Sequence, residues 1–318
     1  MTAYIVRRLV QAVIVFILIS IMIFVVMRLL PGDPILMLVS KQMANSSTEA
    51  QIDKLRHEYG LDKPLAAQYF DWLGGVFHGD LGVSITNGRD VLDDIRGRLP
   101  ITLHLGILAL VISFLLGVPA GVICAVRRGS WIDSVVTSLA NIGITIPVFW
   151  LGVVLMYLFA LKLGWLPLFG YTSPFTDFWQ NTKEIIMPVF CLAITSVAVI
   201  ARQARSSMLE VLHQDYIRTA WSKGLKERAV LMKHALKNGL IPVVVLSGLG
   251  LSGIIGGSVL IETVFNIPGM GRLAVTAMLN QDYPVTQGVI LFFAAMVLLT
   301  NLIVDLSYGW LDPRVQYQ

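Results

Sequence analysis

The chain has 318 residues, of which 56% are hydrophobic and 14% charged, and its mean hydropathy is +0.74. Soluble domains have about a quarter of their residues charged, so this balance favours an integral membrane protein. The net charge of +4 is small and forms no basic stripe with interleaved aromatics, which argues against a nucleic-acid-binding protein. The two cysteines, Cys124 and Cys191, lie within apolar runs, which argues against a disulfide or a metal site.

Six apolar stretches are long enough, or nearly long enough, to cross a bilayer as helices, which takes about 20 apolar residues. The fourth stretch is short, but the residues after Ala201 favour a helix that would lengthen it. Prolines in three stretches, Pro119, Pro147 and Pro242, predict kinked helices. The predicted spans are approximately 9–30, 101–126, 134–161, 185–201, 239–261 and 283–304.

The distribution of Lys and Arg predicts which connections lie in the cytoplasm, because short cytoplasmic loops carry an excess of both. Arg7-Arg8, Arg127-Arg128 and the polar segment 202–238 fall on one side, and that segment holds eight Lys or Arg against three Asp or Glu. The sequence therefore predicts that 202–238 and both termini are cytoplasmic. A cleaved signal peptide is disfavoured, since the first apolar run is long and no small-residue cleavage site follows it.

The predicted domain organisation has three parts, and the predicted fold class is an all-α integral membrane protein with six transmembrane helices. Residues 1–30 form the first transmembrane helix, which the prolines of Leu30-Pro31-Gly32-Asp33-Pro34 end. Residues 31–100 have enough apolar side chains for a small, mostly helical external domain between helices 1 and 2. Residues 101–318 form a five-helix core that contains the cytoplasmic segment 202–238.

Motifs for catalysis or metal binding are absent or out of context. Gly248–Gly253 matches G-x-G-x-x-G, but it lies in the middle of a predicted span, where small residues indicate close helix packing. No G-x-x-x-x-G-K-[ST], H-E-x-x-H or G-x-S-x-G occurs, and the five histidines are scattered. We therefore expect no enzymatic activity, no metal and no bound cofactor in this chain.

The predicted spans carry charged residues only near their ends, whereas ion-coupled transporters commonly place one near the bilayer midplane. Their prolines and scattered hydroxyl and amide groups are compatible with a weakly polar, movable pathway, and equally with ordinary helix packing. The candidate pathway residues are Asn141, Thr145, Ser247 and Ser252.

Several short motifs occur along the chain, and their order and combination are more informative than any one of them. They are Leu30-Pro31-Gly32-Asp33-Pro34, His78-Gly79-Asp80-Leu81-Gly82, Arg98-Leu99-Pro100, Ala204-Arg205-Ser206-Ser207-Met208-Leu209, Glu262-Thr263-Val264-Phe265, Pro268-Gly269-Met270-Gly271, Asp282-Tyr283-Pro284-Val285 and Leu311-Asp312-Pro313-Arg314. With this set the chain resembles the membrane subunits of ABC importers of the dipeptide/oligopeptide/nickel permease family over essentially its whole length. The resemblance implies a type I importer permease fold in a bacterial inner membrane.

The resemblance includes the importer signature E-A-A-x-x-x-G, which lies in a cytoplasmic loop. Here Arg218 replaces the Glu and Thr219 replaces the middle Ala, a form similar to the peptide-type branch. By resemblance this loop couples to the ATPase. The predicted coupling residues are Asp215, Tyr216, Arg218, Thr219, Ala220, Trp221 and Gly224.

The chemistry of these residues agrees with that role. Asp215 suits a helix N-terminus, and Tyr216 and Trp221 are suited to anchor in a partner's cleft. Ala220 is small enough for close approach, and Gly224 permits a sharp turn into a second helix over 226–238. A solvated basic loop facing anionic lipid explains the charge of 202–238 but neither the aromatic residues nor the glycine.

The resemblance also implies partners and a substrate class. It implies a second, homologous permease subunit, two ATP-binding subunits that hold ATP and Mg²⁺, and an extracytoplasmic substrate-binding protein. Peptides are the favoured substrate, with nickel or another metal chelate, or glutathione, as alternatives within the family. An ion-coupled secondary transporter and a membrane scaffold without transport remain as functions of other classes.

Overall fold

The computed structural model describes residues 2–29, 32–42 and 49–311, and these are mostly helical. The predicted helix end at Leu30-Pro31 and most of the Leu311–Arg314 motif lie outside the described residues. The helices are α1 Thr2–Leu29, α2 Pro34–Gln42, α3 Glu49–Glu58, α4 Leu65–Phe77, α5 Val91–Val126, α6 Trp131–Thr145, α7 Val148–Leu155, α8 Phe178–Leu212, α9 Asp215–Ser222, α10 Glu227–Ala229, α11 Leu236–Gly239, α12 Ile241–Val264, α13 Met270–Leu279 and α14 Tyr283–Leu311, with π-helical turns at Met156–Lys162 and Val230–Ala235.

Four helices of the described chain are each long and apolar enough to cross a membrane: Ile5–Leu29 of α1, α5, α8, and Tyr283–Asp305 of α14. Two further pairs of helices qualify only when taken together, because each pair is bent. One pair joins α6 to the helical run ending at Lys162, and the other joins Glu227–Gly239 to the beginning of α12. The total of four to six candidate spans is consistent with the predicted six.

The stretch 134–161, predicted as one span kinked at Pro147, is broken into two helices at that proline. α6 ends at Thr145, α7 begins at Val148, and their axes differ by 100°. Pro147 explains the break, since a proline disfavours the helical conformation of the residue before it, and Ile146 is extended with φ −67° and ψ 126°. By contrast, α5 continues through Pro119 and α8 through Pro188.

Residues 1–102 and 268–299 form one compact unit within the described chain. Its core is apolar and comes from the loop 78–90 between α4 and α5, the beginning of α5, α13 and the beginning of α14. Asp282, between α13 and α14, is buried and accepts hydrogen bonds from the Ser84 hydroxyl and from the backbone N–H groups of Ile85 and Thr86. This carboxylate therefore ties the loop 78–90 to the α13–α14 turn, which accounts for the aspartate of the Asp282-Tyr283-Pro284 motif.

The described residues of 103–267 and 300–318 form the second unit, in which α8 packs against α6, α7, α11 and α12. Gly121 of α5 allows the closest approach to α8: a Cβ there would lie 2.3 Å from the Ala201 carbonyl oxygen and 2.6 Å from the Ala204 Cβ. The predicted lengthening of the fourth span is confirmed, because α8 continues past Ala201 to Leu212. At 35 residues and about 1.5 Å per residue, α8 is about 52 Å long.

Candidate functional site

The short helix α9 contains most of the predicted coupling residues and begins and ends where the sequence indicates. It starts at Asp215, whose carboxylate lies in the first turn, and ends at Ser222. The backbone N–H of Gly224 then bonds to the Trp221 carbonyl, and Gly224 has φ +70°, a conformation that non-glycine residues rarely adopt. The predicted second helix over 226–238 is present as α10, the second π-helical turn and α11, an irregularity that the sequence does not indicate.

One face of α9 is buried within the chain. Ile217 and Ala220, 0% and 5% exposed, belong to an apolar cluster with Met208 of α8. Ala125 of α5 and two residues of the second π-helical turn, Val230 and Ala235, complete this cluster. The small side chain of Ala220 therefore permits close approach between segments of this chain, and α9 is attached to the end of α8 by apolar contacts.

The opposite face of α9 is exposed and polar or aromatic, and we call it the coupling face. It consists of Asp215, Tyr216, Arg218, Thr219 and Trp221. The Asn238 amide donates to the Tyr216 hydroxyl at 2.9 Å, which links α9 to α11. The Arg218–Asp215 ion pair, at 3.4 Å, is 71% and 96% exposed, so it contributes little stability. The tyrosine and tryptophan thus remain available to a partner.

An ion pair that no sequence motif indicates joins α6 to α8, with a buried carboxylate and a partly exposed guanidinium. Asp133 receives hydrogen bonds from Arg205 Nε at 2.7 Å and from Arg205 Nη2 at 2.9 Å, and its side chain is only 8% exposed. Asp133 also accepts from the Gly129 backbone N–H, while the Ser130 hydroxyl caps the start of α6. Arg205 stands in the Ala204–Leu209 motif, but no pattern in the sequence identifies a partner 72 residues away.

The second unit also contains a half-open cavity of about 280 Å³. Its lining is mostly apolar and includes three hydroxyl side chains, Thr195, Ser196 and Ser247. Ser247 is one of the pathway residues predicted from the sequence, and the sequence does not single out Thr195 or Ser196. The remaining lining residues are Leu110, Val148, Leu192, Val199, Ile200, Leu246, Gly250 and Gly253.

The other candidate pathway residues do not line this cavity. Asn141 and Thr145 are exposed on α6, and the Thr145 hydroxyl donates to the backbone carbonyls of Asn141 and Ile142. The Ser252 hydroxyl is buried without a hydrogen-bond partner on α12. Among the described residues, no group of three or more His, Cys, Asp or Glu side chains is placed to hold a metal ion.

Two family models match the chain, and together they cover almost all of it. Residues 117–317 match the binding-protein-dependent transport system inner membrane component. Residues 1–106 match the N-terminal model of the binding-protein-dependent transport system membrane component. The described coupling face lies within the first of these matched regions, as do all the residues lining the cavity except Leu110.

Curated relatives match over the full length of both chains. The oligopeptide transport system permease protein AppB of Bacillus subtilis is 40% identical over 320 residues, with 100% of each chain covered. The dipeptide transport system permease proteins DppB of Escherichia coli and Alkalihalophilus pseudofirmus are each 38% identical, again with 100% of each chain covered.

Solved structures show the same fold at lower identity. A chain of the inward-facing MetNI methionine ABC transporter superposes with a TM-score of 0.57 at 20% identity, covering 69% of this chain and 96% of that one. A chain of an amino acid ABC transporter gives a TM-score of 0.51 at 17% identity, covering 77% and 98%. The chain belongs to the binding-protein-dependent transport system inner membrane component family and is a multi-pass membrane permease subunit of an ABC importer.

Proposed function

We propose that this chain pairs with a second, homologous permease subunit to import peptides, and that two ATP-binding subunits drive it through the coupling face of α9. An extracytoplasmic substrate-binding protein delivers the peptide. ATP and Mg²⁺ bind the partner subunits, and this chain performs no catalysis of its own. Alternating access between inward-facing and outward-facing states then moves the peptide across the bacterial inner membrane.

The observation that carries the coupling role is that α9 has one exposed polar and aromatic face and one face packed against α8. Tyr216 and Trp221 are exposed aromatic side chains, the type of residue that dominates protein–protein contacts. Ile217 and Ala220 are buried against Met208 of α8. A force applied to the coupling face is therefore transmitted to α8, because packed interiors resist compression.

The proposed orientation places the α9 end of α8 in the cytoplasm. The hydrocarbon core is about 30 Å thick, and α8 is longer than that, so one end must project beyond it. Arg202 and Arg205 near that end, and the basic residues of the exposed segment 223–228, are the charges expected on the cytoplasmic side. Both chain termini then lie in the cytoplasm as well.

The cavity of about 280 Å³ supports a peptide as the substrate. Its apolar lining with three hydroxyl groups offers hydrogen bonds to peptide amides without binding any one side chain tightly. The full-length relatives are named as oligopeptide and dipeptide permeases, which favours the same substrate class here. The hydroxyl groups of Thr195, Ser196 and Ser247 are the proposed contacts.

Reconstitution of the complete importer in proteoliposomes tests both parts of the proposal. Uptake of a radiolabelled dipeptide and ATP hydrolysis are measured together for wild type and for Trp221→Ala. We expect at least a tenfold loss of uptake in the variant, because a buried aromatic anchor commonly dominates an interface. Trp165→Ala is the matched control, since Trp165 is an exposed tryptophan outside the coupling face and its loss leaves uptake unchanged.

The outcomes separate the competing functions. Normal dipeptide uptake in Trp221→Ala contradicts the coupling role of α9. Uptake of nickel or of glutathione, but not of dipeptide, replaces the peptide with one of the alternative substrates. Uptake that follows an ion gradient without ATP-binding subunits identifies a secondary transporter.

A further inference from the structure

The first unit contains a cavity of about 310 Å³ that the import function does not explain. It lies at the end of α1, where Arg28 is one residue from the end of a 25-residue apolar span. Arg28, Gln68, Trp72, Tyr283 and Gln287 are among the residues that line it. Polar and charged side chains thus line a space beside a membrane-spanning segment together with apolar residues such as Leu61, Leu81 and Ile85.

Arg28 is held firmly but has no acidic partner. Its Nε and Nη2 atoms both donate to the Gln68 amide oxygen, at 3.0 and 2.9 Å. Its guanidinium lies over the rings of Phe24 and Tyr283, at 4.8 and 4.7 Å from their centroids. No carboxylate in the part of the chain that the structure describes forms an ion pair with it. A cation at a membrane boundary is stabilised by a counter-charge, and the described residues supply none.

The same wall carries three buried N–H donors that have no acceptor. They are Nη1 of Arg28, Nε1 of Trp72 and Nε2 of Gln287. Gln287 is only 3% exposed, so bulk solvent does not solvate its amide. Buried donors almost always have a partner, and orphaned ones call for an explanation by a water, an ion or a ligand. One of these three donors belongs to the cationic guanidinium of Arg28, so the expected acceptor carries negative charge.

The other charged side chains on the lining are already paired. Lys63 Nζ donates to Asp71 at 2.7 Å, and this hydrogen bond raises the pKa of the Lys63 ammonium. Glu58 lies 4.0 Å from Lys54 in an exposed ion pair. The Arg28 guanidinium is therefore the charge on this lining that has no opposite charge beside it.

We propose that this cavity binds a phosphate group through Arg28, Trp72 and Gln287. The position favours the headgroup of a phospholipid as its source, because Leu29, which follows Arg28, and Phe70, two residues before Trp72, are 77% and 69% exposed. Aromatic side chains and arginines at the ends of membrane spans characteristically sit at headgroup level. Free inorganic phosphate is the other source of the same chemistry.

Native mass spectrometry of the complete, delipidated importer complex tests the proposal. The complex is titrated with dioleoylphosphatidylglycerol, with dioleoylglycerol, which has the same acyl chains and no phosphate, and, in a separate arm, with inorganic phosphate. Wild type is compared with Arg28→Gln and with Trp72→Phe, which removes one donor and keeps an aromatic ring. Arg96→Gln is the matched control, because Arg96 is exposed on α5 outside the cavity.

We expect wild type and Arg96→Gln to bind phosphatidylglycerol with equal affinity. The affinity of Arg28→Gln should be lower by about tenfold or more, and that of Trp72→Phe should be several-fold lower. Dioleoylglycerol should not distinguish wild type from Arg28→Gln. Saturable binding of inorganic phosphate that depends on Arg28 supports the site with a soluble source. If the Arg28→Gln complex does not assemble, the phosphatidylglycerol affinity of the Trp72→Phe complex tests the proposal in its place. Unchanged phosphatidylglycerol and phosphate affinity in the assembled variants overturns the proposal and leaves water as the occupant.

Discussion

Replacing Gly224 with valine should uncouple ATP hydrolysis from transport through the backbone alone. Gly224 has φ +70°, and a Cβ there would meet no atom within 4 Å, so a side chain fits but the backbone conformation is strained. An L-residue in this conformation costs about 1–2 kcal/mol, and a β-branched residue is at the upper end or above. Since about 1.4 kcal/mol is a factor of ten in an equilibrium, the native turn after α9 loses roughly tenfold or more in population.

The assay is dipeptide uptake per ATP hydrolysed in proteoliposomes that contain the complete importer. We expect this ratio to fall about tenfold in Gly224→Val, because the turn that orients α9 relative to α10 is no longer the most populated conformation. Gly224→Asn should retain most of the ratio, since asparagine tolerates positive φ better than other residues with side chains.

Gly164→Val separates coupling from general strain. Gly164 has φ +63° and also has no atom within 4 Å of a built Cβ, but it follows the first π-helical turn rather than α9. The same conformational cost there should lower stability without changing uptake per ATP. Equal losses in Gly224→Val and Gly164→Val, or normal coupling in both, would refute the role of the Gly224 turn.

Two further predictions concern stability, measured by thermal unfolding of the purified complex. Asp133→Asn removes the charge that accepts two hydrogen bonds from Arg205 and should cost about 1.5–3 kcal/mol, less than for a fully buried pair because Arg205 is 32% exposed. Asp93→Asn, in an exposed pair, should cost under about 1 kcal/mol, and equal effects would contradict the argument. Gly121→Ala forces a Cβ to 2.3 Å from a backbone oxygen of α8 and should lower the stability by about 1–3 kcal/mol. At Gly97 on the same helix a Cβ meets no atom, so Gly97→Ala should raise the stability by up to about 1 kcal/mol. A stable Gly121→Ala would show that α5 and α8 do not pack as described.

Features that depend on local sequence could be predicted well. The bounds of α9 follow from Asp215 and Gly224, because a helix N-terminus favours an acidic residue and a positive φ favours glycine. The membrane-spanning helices follow from apolar length. Pro147 indicated a kink, but a proline alone does not determine an angle, and the 100° between α6 and α7 depends on what each helix packs against.

Features that depend on packing between distant segments could not be predicted. The Asp133–Arg205 pair joins residues 72 apart, and Ala220 contacts its own chain only because Met208 and Val230 fold over it. Thr195 could not be distinguished as a cavity residue because periodicity defines a helix face but not its neighbours. The π-helical turns have no residue pattern that separates them from α-helix.

Cysteine cross-linking between α9 and the ATP-binding subunit tests the central claim most directly. Thr219→Cys places a thiol on the exposed coupling face, while Cys124 and Cys191 are buried and stay unreactive. Thr176→Cys, an exposed threonine before the other end of α8, is the matched control. The thiol is alkylated with a maleimide–benzophenone reagent on the complete importer, and irradiation then inserts the benzophenone into a C–H bond of a neighbouring chain. We predict a cross-link to the ATP-binding subunit, with loss of dipeptide uptake, from Thr219→Cys only. An intact complex in which Thr219→Cys forms no such cross-link, or forms no more than Thr176→Cys, would contradict the account.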